Sequence, residues 1–259
     1  MTQAVMQSRN ARQGIDGRVV FLGAPYDLRP VEEVLASLHP VRPGMAFRYI
    51  VTPNVDHITR LARQPELLPL YDGAWQCWCD SHIVRRLGFA VGLRLPHLNG
   101  TDVIERIVAE VLRAGDRLAV IAARPEVVEA LRHRYPQYEW VAHCPPMGFA
   151  DDPAAFGEAV RFGATTGARF LFIGVGSPQS EQLAYAIAGT PGAQGTGFCI
   201  GAAMEFIGGI KTRAPKSMQN LGFEWLHRLL TEPRRLWRRY VLGVGPLAVL
   251  FARELVRWK

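Results

Sequence analysis

The sequence has no run of eighteen apolar residues, and residues 1–17 lack the apolar segment of a secretory signal. We therefore expect no membrane-spanning helix, no signal peptide and a cytoplasmic location. Cysteine is scarce, and the four thiols lack the C-x2-C spacing of zinc sites, so we expect reduced, buried side chains without disulfides or a bound metal. A composition of 49% apolar and 20% charged residues excludes a disordered chain.

Motifs of several nucleotide-dependent enzymes and hydrolases are also missing. No G-x-x-x-x-G-K-[ST] sequence occurs, and Gln179 occupies the third glycine position of the G-x-G-x-x-G motif that would begin at Gly174. These absences disfavour P-loop enzymes and enzymes that use NAD. A G-x-S-x-G elbow is absent as well, which disfavours a serine hydrolase of the α/β type.

Positive charge is concentrated at the C-terminal end. The whole chain has a formal net charge of +7, whereas residues 211–259 contain eleven Lys and Arg against three Glu, a net charge of +8. Residues 1–210 therefore carry a net charge of −1. This asymmetry favours a phosphate-bearing partner or an anionic membrane for the basic end, although it is also compatible with a solvated charged face.

The order of residues within this basic end suggests two structures. Residues 216–230 have the pattern of an amphipathic helix, residues 234–240 interleave four arginines with two aromatic residues, and residues 241–252 are apolar. Twelve residues are too few to cross a bilayer. They either lie in the membrane interface, with arginines on lipid phosphates, or form part of a helical hairpin packed against the core.

The rest of the chain alternates β-rich runs with helical stretches, which predicts an α/β, Rossmann-like body with a mainly parallel sheet. We expect a flexible N-terminus over residues 1–17, an α/β domain over 18–210 and a basic helical appendage over 211–259. Prolines at the predicted starts of three helices suit the first helical position. The predicted strands are 18–22, 47–51, 118–122, 139–142, 170–175 and 197–200, and the clearest predicted helices are 55–70, 101–114, 125–135, 153–166 and 178–188.

Polar residues follow several predicted strands, where parallel α/β sheets bind their ligands. Asp80 follows the apolar segment 75–79, so desolvation could raise its basicity and make it a general base. Alternatively, it caps a helix that begins at Ser81. The turn 174–176 brings backbone N–H groups to a helix start and could hold a diphosphate, or it is simply a structural turn.

Seven short motifs and one aspartate follow one another along the chain. They are T-x-N at 52–54, Asp80, G-T-D at 100–102, G-S-P at 176–178 with Glu181, G-A-A at 201–203, R-A-P at 213–215, L-G-F-E-W-L-x-R-L at 221–229 and E-P-R-R-L at 232–236. Together they resemble the WecG/TagA/CpsF glycosyltransferase family over about residues 20–240. The resemblance departs from the family at Ser180, where the family usually has Gln, and at Ser81, where it has Gly.

The resemblance implies an inverting, β-forming transfer of a hexose from a UDP-sugar to a polyprenyl-diphosphate-linked sugar, in synthesis of a bacterial surface polysaccharide or exopolysaccharide. It implies a peripheral protein on the cytoplasmic face of the inner membrane, without metal, cofactor or nucleic acid, and it leaves homo-oligomerisation open. Asp80 matches the catalytic base and Thr52 a second catalytic residue. The implied substrate-binding residues are Asn54, Arg94, Asp102, Gly176, Ser177, Gln179, Glu181, Arg213, Arg234, Arg235 and Arg238.

A different class of protein also fits the basic end. An α/β module without enzymatic activity could bind nucleic acid or anionic lipid through the arginines and aromatic rings of residues 234–240. The polar residues that follow the predicted strands would then have no function. Ser180 also leaves open a family member that has lost activity and serves as a scaffold.

Overall fold

The computed structural model describes residues 13–14, 17–38, 44–221 and 224–258. Most of the predicted N-terminal segment, residues 1–17, lies outside this description, as do the side chains at 13–14, 219–221, 228, 235–236 and 238–240. In chain order the strands are β1 (Gln13–Gly14), β2 (Arg18–Phe21), β3 (Ala24–Asp27), β4 (Arg48–Val51), β5 (Gln76–Cys77), β6 (Arg117–Ala122), β7 (Glu139–His143), β8 (Phe170–Gly174) and β9 (Thr196–Cys199).

A six-stranded sheet forms the centre of the body, and all of its paired strands run parallel. Its order is β5-β4-β9-β8-β6-β7. The predicted α/β fold with a mainly parallel sheet is thus confirmed. The predicted strand 18–22 does not join this sheet, because β2 pairs antiparallel with β1 and β3 in a separate three-stranded sheet.

Helices surround the sheet and largely follow the predicted pattern. The helices are α1 (Val31–Ala36), α2 (Val55–Leu61), α3 (Leu68–Asp72), α4 (His82–Ala90), α5 (Gly100–Arg106), α6 (Pro125–Arg134), α7 (Pro153–Thr165), α8 (Gln179–Ala188), α9 (Ala203–Ile207), α10 (Lys216–Leu221), α11 (Glu224–Thr231) and α12 (Pro233–Arg257). Short 3-10 turns lie at Pro65–Leu67 and Phe149–Asp151, and a π-helical turn at Ile107–Val111 follows α5.

Three predicted helices differ from those observed. The predicted helix 55–70 ends at Leu61, because Pro65 and Pro69 each lack the N–H that a continuous helix needs. The predicted helix 101–114 ends as regular α-helix at Arg106. Pro125 and Pro153 begin their helices as expected, whereas Pro178 lies just before α8, at its N-cap.

The strands place consecutive side chains on opposite faces of the sheet, and each face has its own core. Val51 and Ile121 belong to the first core, whereas their neighbours Ile50 and Val120 belong to the second. Helices α2, α3, α4, α7 and α8 and the small antiparallel sheet cover the first core, and α1, α5, α6 and α9 cover the second. Both faces of the sheet are therefore buried, as a parallel sheet requires.

The C-terminal helix α12 packs on the first core with one face and exposes an apolar surface on the other. Its inner face meets α2, where Gly243 faces Val55, and its other packed side chains are Leu247, Leu250 and Phe251. The exposed apolar surface, called the outer face below, consists of Val241, Leu242, Val249, Leu255 and Val256, each between 40% and 78% exposed.

Residues 241–252 therefore pack on the body through one face, as part of the single helix α12, which follows α11 and contacts it. Among the helices that the structure describes, none combines the length and apolarity needed to cross a bilayer.

A buried carboxylate holds the end of α12 on the antiparallel sheet. Glu254 is only 6% exposed, and its Oε1 accepts a hydrogen bond from the backbone N–H of Leu22 (3.1 Å). Its Oε2 accepts a hydrogen bond from Trp258 Nε1 (2.7 Å). Removing this side chain would leave the N–H of Leu22 and the Nε1–H of Trp258 without this acceptor.

We therefore expect Glu254→Ala to lower the free energy of unfolding by about 1–3 kcal/mol, since two donors are left without this acceptor. The matched control is Glu129→Ala, which removes an exposed carboxylate from α6. Urea unfolding of the two variants and the wild type measures the difference. Equal stability of both variants would show that Glu254 does not hold the helix.

Candidate active site

A cleft of about 1270 Å³ opens where five of the parallel strands end. Residues that follow β4, β5, β6, β8 and β9 line it, as expected for ligand sites of open α/β sheets. Six of the predicted site residues lie in its wall: Thr52, Asn54, Asp80, Gly176, Ser177 and Glu181. These six belong to segments separated by up to about half of the chain, and the parallel strand register brings them together.

Asp80 and Thr52 occupy neighbouring strand ends. The backbone N–H of Asp80 donates to Pro53 O (3.1 Å), which fixes the aspartate beside the end of β4. The N-cap of α4 is Ser81, whose Oγ accepts from the N–H of Val84 (3.2 Å), so the alternative role of Asp80 as helix cap is wrong. Asp80 is half-buried in the cleft wall, and its neighbour Thr52 is buried.

Asn54 organises the start of α2 and, through it, an imidazole in the cleft. Its Oδ1 accepts from the N–H of Asp56 (3.0 Å), and its own backbone nitrogen lies 3.3 Å from His57 Nδ1. Nδ1 also lies 2.9 Å from Asn54 Oδ1, so the tautomer of the ring decides which of the two Asn54 contacts is its hydrogen bond. The other ring nitrogen, Nε2, lies 3.4 Å from Oε1 of the buried Glu181.

The turn after β8 is joined to α2 by an arginine that also lines the cleft. Arg60 Nη1 donates to Ser177 Oγ (2.7 Å), and its Nη2 contacts Asp56 Oδ2 at 3.0 Å. Gly176 adopts a φ of +94°, which a residue with a side chain rarely adopts, so glycine suits this turn.

Five of the remaining predicted residues have described side chains that do not line the cleft. Arg213 pairs with Asp102 (2.5 Å) and with Glu105 (3.3 Å), and its Nε lies 3.8 Å from Glu224. Burial opposes the charge of Arg213, but the hydrogen bond and charge of Asp102 outweigh it and raise its pKa overall. The predicted residues that lie outside the cleft lining are Asp102, Arg213, Gln179 at the start of α8, and the exposed Arg94 and Arg234. The side chains of Arg235 and Arg238 are not described.

Sequence reasoning missed the cations and imidazoles that line the described part of the cleft. Arg124 follows β6, so the rule that selected the other strand ends could also have found it. Its Nη2 lies 2.5 Å from Glu205, and Lys211 contacts the same carboxylate at 2.6 Å and Glu232 at 3.0 Å. The other missed members are Arg60, His57, His82, His97 and His227.

Two of these imidazoles stack on each other beside Asp80. The ring centroids of His82 and His97 are 3.9 Å apart. Burial lowers the pKa of His97 to about 3, with the charges of His82 and Arg85 acting in the same direction. Burial also lowers the pKa of His82, and the positive charges of Arg85 and Arg86 act in the same direction. Both rings are therefore neutral near pH 7 and offer one donor and one acceptor each.

The cysteines contribute no charge to the cleft, although Cys199 belongs to its lining. Cys77, Cys79 and Cys199 are buried, as expected, and Cys144 is half-buried. Burial raises the pKa of Cys79 to about 12 and also raises those of Cys77 and Cys199, so these groups stay protonated thiols near neutral pH. Within the described ranges, no group of three or more side chains has the arrangement of a metal site.

The buried imidazole of His97 predicts a loss of stability in acid. Its pKa falls from 6.5 to about 3 on folding, so between these values the unfolded chain binds a proton that the folded chain does not. We expect the contribution of the neutral His97 ring to the free energy of unfolding to be fully present above about pH 6.5. Below that pH it should fall by about 1.4 kcal/mol per pH unit. Urea unfolding at about pH 7.5 and about pH 5 should show a smaller loss for His97→Asn than for wild type. Equal losses would contradict the assignment.

Comparison with known families agrees with this geometry. The model of the family described as "Glycosyl transferase WecG/TagA/CpsF family" matches residues 19–259, nearly the whole chain. The match includes the segments that supply Thr52, Asp80 and Glu181 to the cleft, and also the basic C-terminal helices. The chain therefore belongs to the WecG/TagA/CpsF family and is a glycosyltransferase of cell-surface polysaccharide synthesis.

Proposed function

We propose that this glycosyltransferase moves a hexose from a UDP-sugar to a sugar carried on polyprenyl diphosphate, with inversion at the anomeric carbon. Asp80 acts as the general base, residues 18–210 form the catalytic domain, and residues 211–259 form an appendage that associates with the cytoplasmic face of the inner membrane. The observation that carries the proposal is the half-buried Asp80 in the wall of the cleft, with the helix cap beside it provided by Ser81.

The chemistry needs a base on one side of the anomeric carbon. An acceptor hydroxyl attacks as the bond to UDP breaks, and Asp80 takes the hydroxyl proton in the same step. The bond from the Asp80 N–H to Pro53 holds the backbone of the base, and Thr52 on the neighbouring strand supports the same wall. The neutral rings of His82 and His97 can donate to and accept from sugar hydroxyls without adding charge.

The leaving diphosphate needs positive charge on the other side. Arg124 and Lys211 line the cleft and share Glu205, and Lys211 also contacts Glu232. A diphosphate that approaches this cluster can compete with the two carboxylates for charge-assisted hydrogen bonds. Arg213 is less suited to this role, because three carboxylates already surround it.

The outer face of α12 supports the membrane part of the proposal. Its exposed valines and leucines lie along a helix that begins with basic residues and whose Val244 and Leu247 line the cleft. An apolar helix face next to arginines is typical of a segment that lies in the membrane interface. A lipid-linked acceptor would then meet the cleft at the membrane surface.

Replacing Asp80 by Asn tests the base. The amide keeps the size of the side chain but cannot take a proton, so we expect transfer to fall by about 100- to 10,000-fold while UDP binding is unchanged. A panel of UDP-sugars with polyprenyl-diphosphate-linked monosaccharides, read by mass spectrometry, measures transfer. Asp151→Asn, an exposed change in the 3-10 turn Phe149–Asp151, is the control. Near-normal turnover of Asp80→Asn would rule out this role.

Charged substitutions on the outer face test membrane association. We expect Leu242→Glu combined with Val249→Glu to reduce sedimentation with phosphatidylglycerol vesicles at least about tenfold, because two carboxylates would enter an apolar, anionic interface. Met147→Glu is the control, since Met147 is fully exposed in the loop that follows β7. Transfer to a water-soluble acceptor should be unchanged in both. Undiminished vesicle binding by the double variant would mean that another surface contacts the membrane.

A further inference from the structure

Two buried polar atoms in the cleft have no hydrogen-bond partner among the described residues. They are Glu181 Oε2 and Ser180 Oγ, from consecutive residues in the first turn of α8. Both residues line the cleft, and they are only 2% and 1% exposed. Buried oxygens of this kind are normally paired, and leaving them unpaired costs free energy. Their position in a cleft wall indicates a ligand that brings hydrogen-bond donors.

The other oxygen of the same carboxylate is already held. His57 Nε2 lies 3.4 Å from Glu181 Oε1, and the contacts of Asn54 with Nδ1 keep the imidazole in this orientation. The carboxylate is thus fixed on one side by the start of α2. Its second oxygen, Oε2, has no partner among the described residues and is therefore available to a ligand.

The local charge shows which donors suit this position. The charged side chains at the end of the cleft where α2 meets α8 are Glu181, Asp56 and Arg60, and Arg60 is already engaged by Asp56 and Ser177 Oγ. Two carboxylates against one guanidinium disfavour a phosphate group. A neutral ligand with several hydroxyl groups fits better, because hydroxyls donate strongly to a carboxylate without adding negative charge.

We infer that Glu181 Oε2 and Ser180 Oγ form a subsite for neighbouring hydroxyl groups of a sugar ring, either the ribose of the nucleotide or the transferred hexose. This inference rests on the proposed function, which supplies both rings. One hydroxyl donates to Glu181 Oε2, and a second exchanges a hydrogen bond with Ser180 Oγ. The diphosphate then lies toward Arg124 and Lys211, away from Glu181 and Asp56.

Isothermal titration of the full chain with UDP, 2′-deoxy-UDP, UDP-glucose, UDP-galactose and UDP-N-acetylglucosamine tests the inference. The variant is Glu181→Gln, and the control is Glu158→Gln, an exposed carboxylate on α7. If ribose occupies the subsite, Glu181→Gln should weaken UDP binding about tenfold; 2′-deoxy-UDP binding should then be nearly unchanged if the 2′-hydroxyl donates to Glu181 and weakened equally if the 3′-hydroxyl does. If the hexose occupies it, UDP binding should be unchanged and binding of at least one UDP-hexose about tenfold weaker.

Equal binding of all five ligands by Glu181→Gln and wild type would overturn the subsite while leaving the proposed function intact. No binding of any of them by wild type would overturn both. Thermal unfolding of each variant checks the fold, which we expect to be kept because Gln has nearly the same shape as Glu and retains an oxygen that can face His57 Nε2. Should that variant fail to fold, Ser180→Ala provides the same comparison: weaker binding of one ligand class supports the subsite, and unchanged binding overturns it.

Discussion

The parallel register of four neighbouring strands determines where the candidate active site forms. Val51 pairs with Cys77 on one side and with Cys199 on the other, and Cys199 pairs with Ile173. Because these partners lie near the ends of their strands, the segments that follow them leave the sheet at one edge. A one-residue shift in any of these pairings would turn the following side chains to the other face of the sheet. The cleft therefore depends on strand pairing before it depends on any one side chain.

The sequence was sufficient to predict the parts of the fold that local patterns control. All five strands predicted within the parallel sheet are present, because each is a short apolar run bounded by turns. The separate antiparallel sheet was not predicted, since the strand β3 (Ala24–Asp27) is short and contains Pro25. Helix α2 was predicted too long, because apolar spacing outweighed the prolines that follow it.

Site residues were predictable where strand ends and family motifs agreed, and less so where pairing is long-range. Thr52, Asp80 and Glu181 come from segments adjoining strands, and all three line the cleft. Arg213 was expected to bind substrate, yet its charge is taken up by Asp102, which lies 111 residues earlier in the chain. Local sequence does not show which carboxylate will meet a given guanidinium. The same reason explains why the shared pairing of Arg124 and Lys211 on one carboxylate was not foreseen.

The two ends of the described chain are linked at a point that affects the cleft. Glu254 accepts a hydrogen bond from Leu22, so the last helix is held by the antiparallel sheet near the start of the chain. Farther back on the same helix, Val244 and Leu247 line the cleft. Because α12 is one helix packed along one face, fixing its end at Glu254 also restricts the position of its earlier turns. The contact at Glu254 therefore helps to set the distance between α12 and α2. The proposed membrane-facing surface and two residues of the cleft lining thus belong to one helix, and the packing of its inner face on the core positions both.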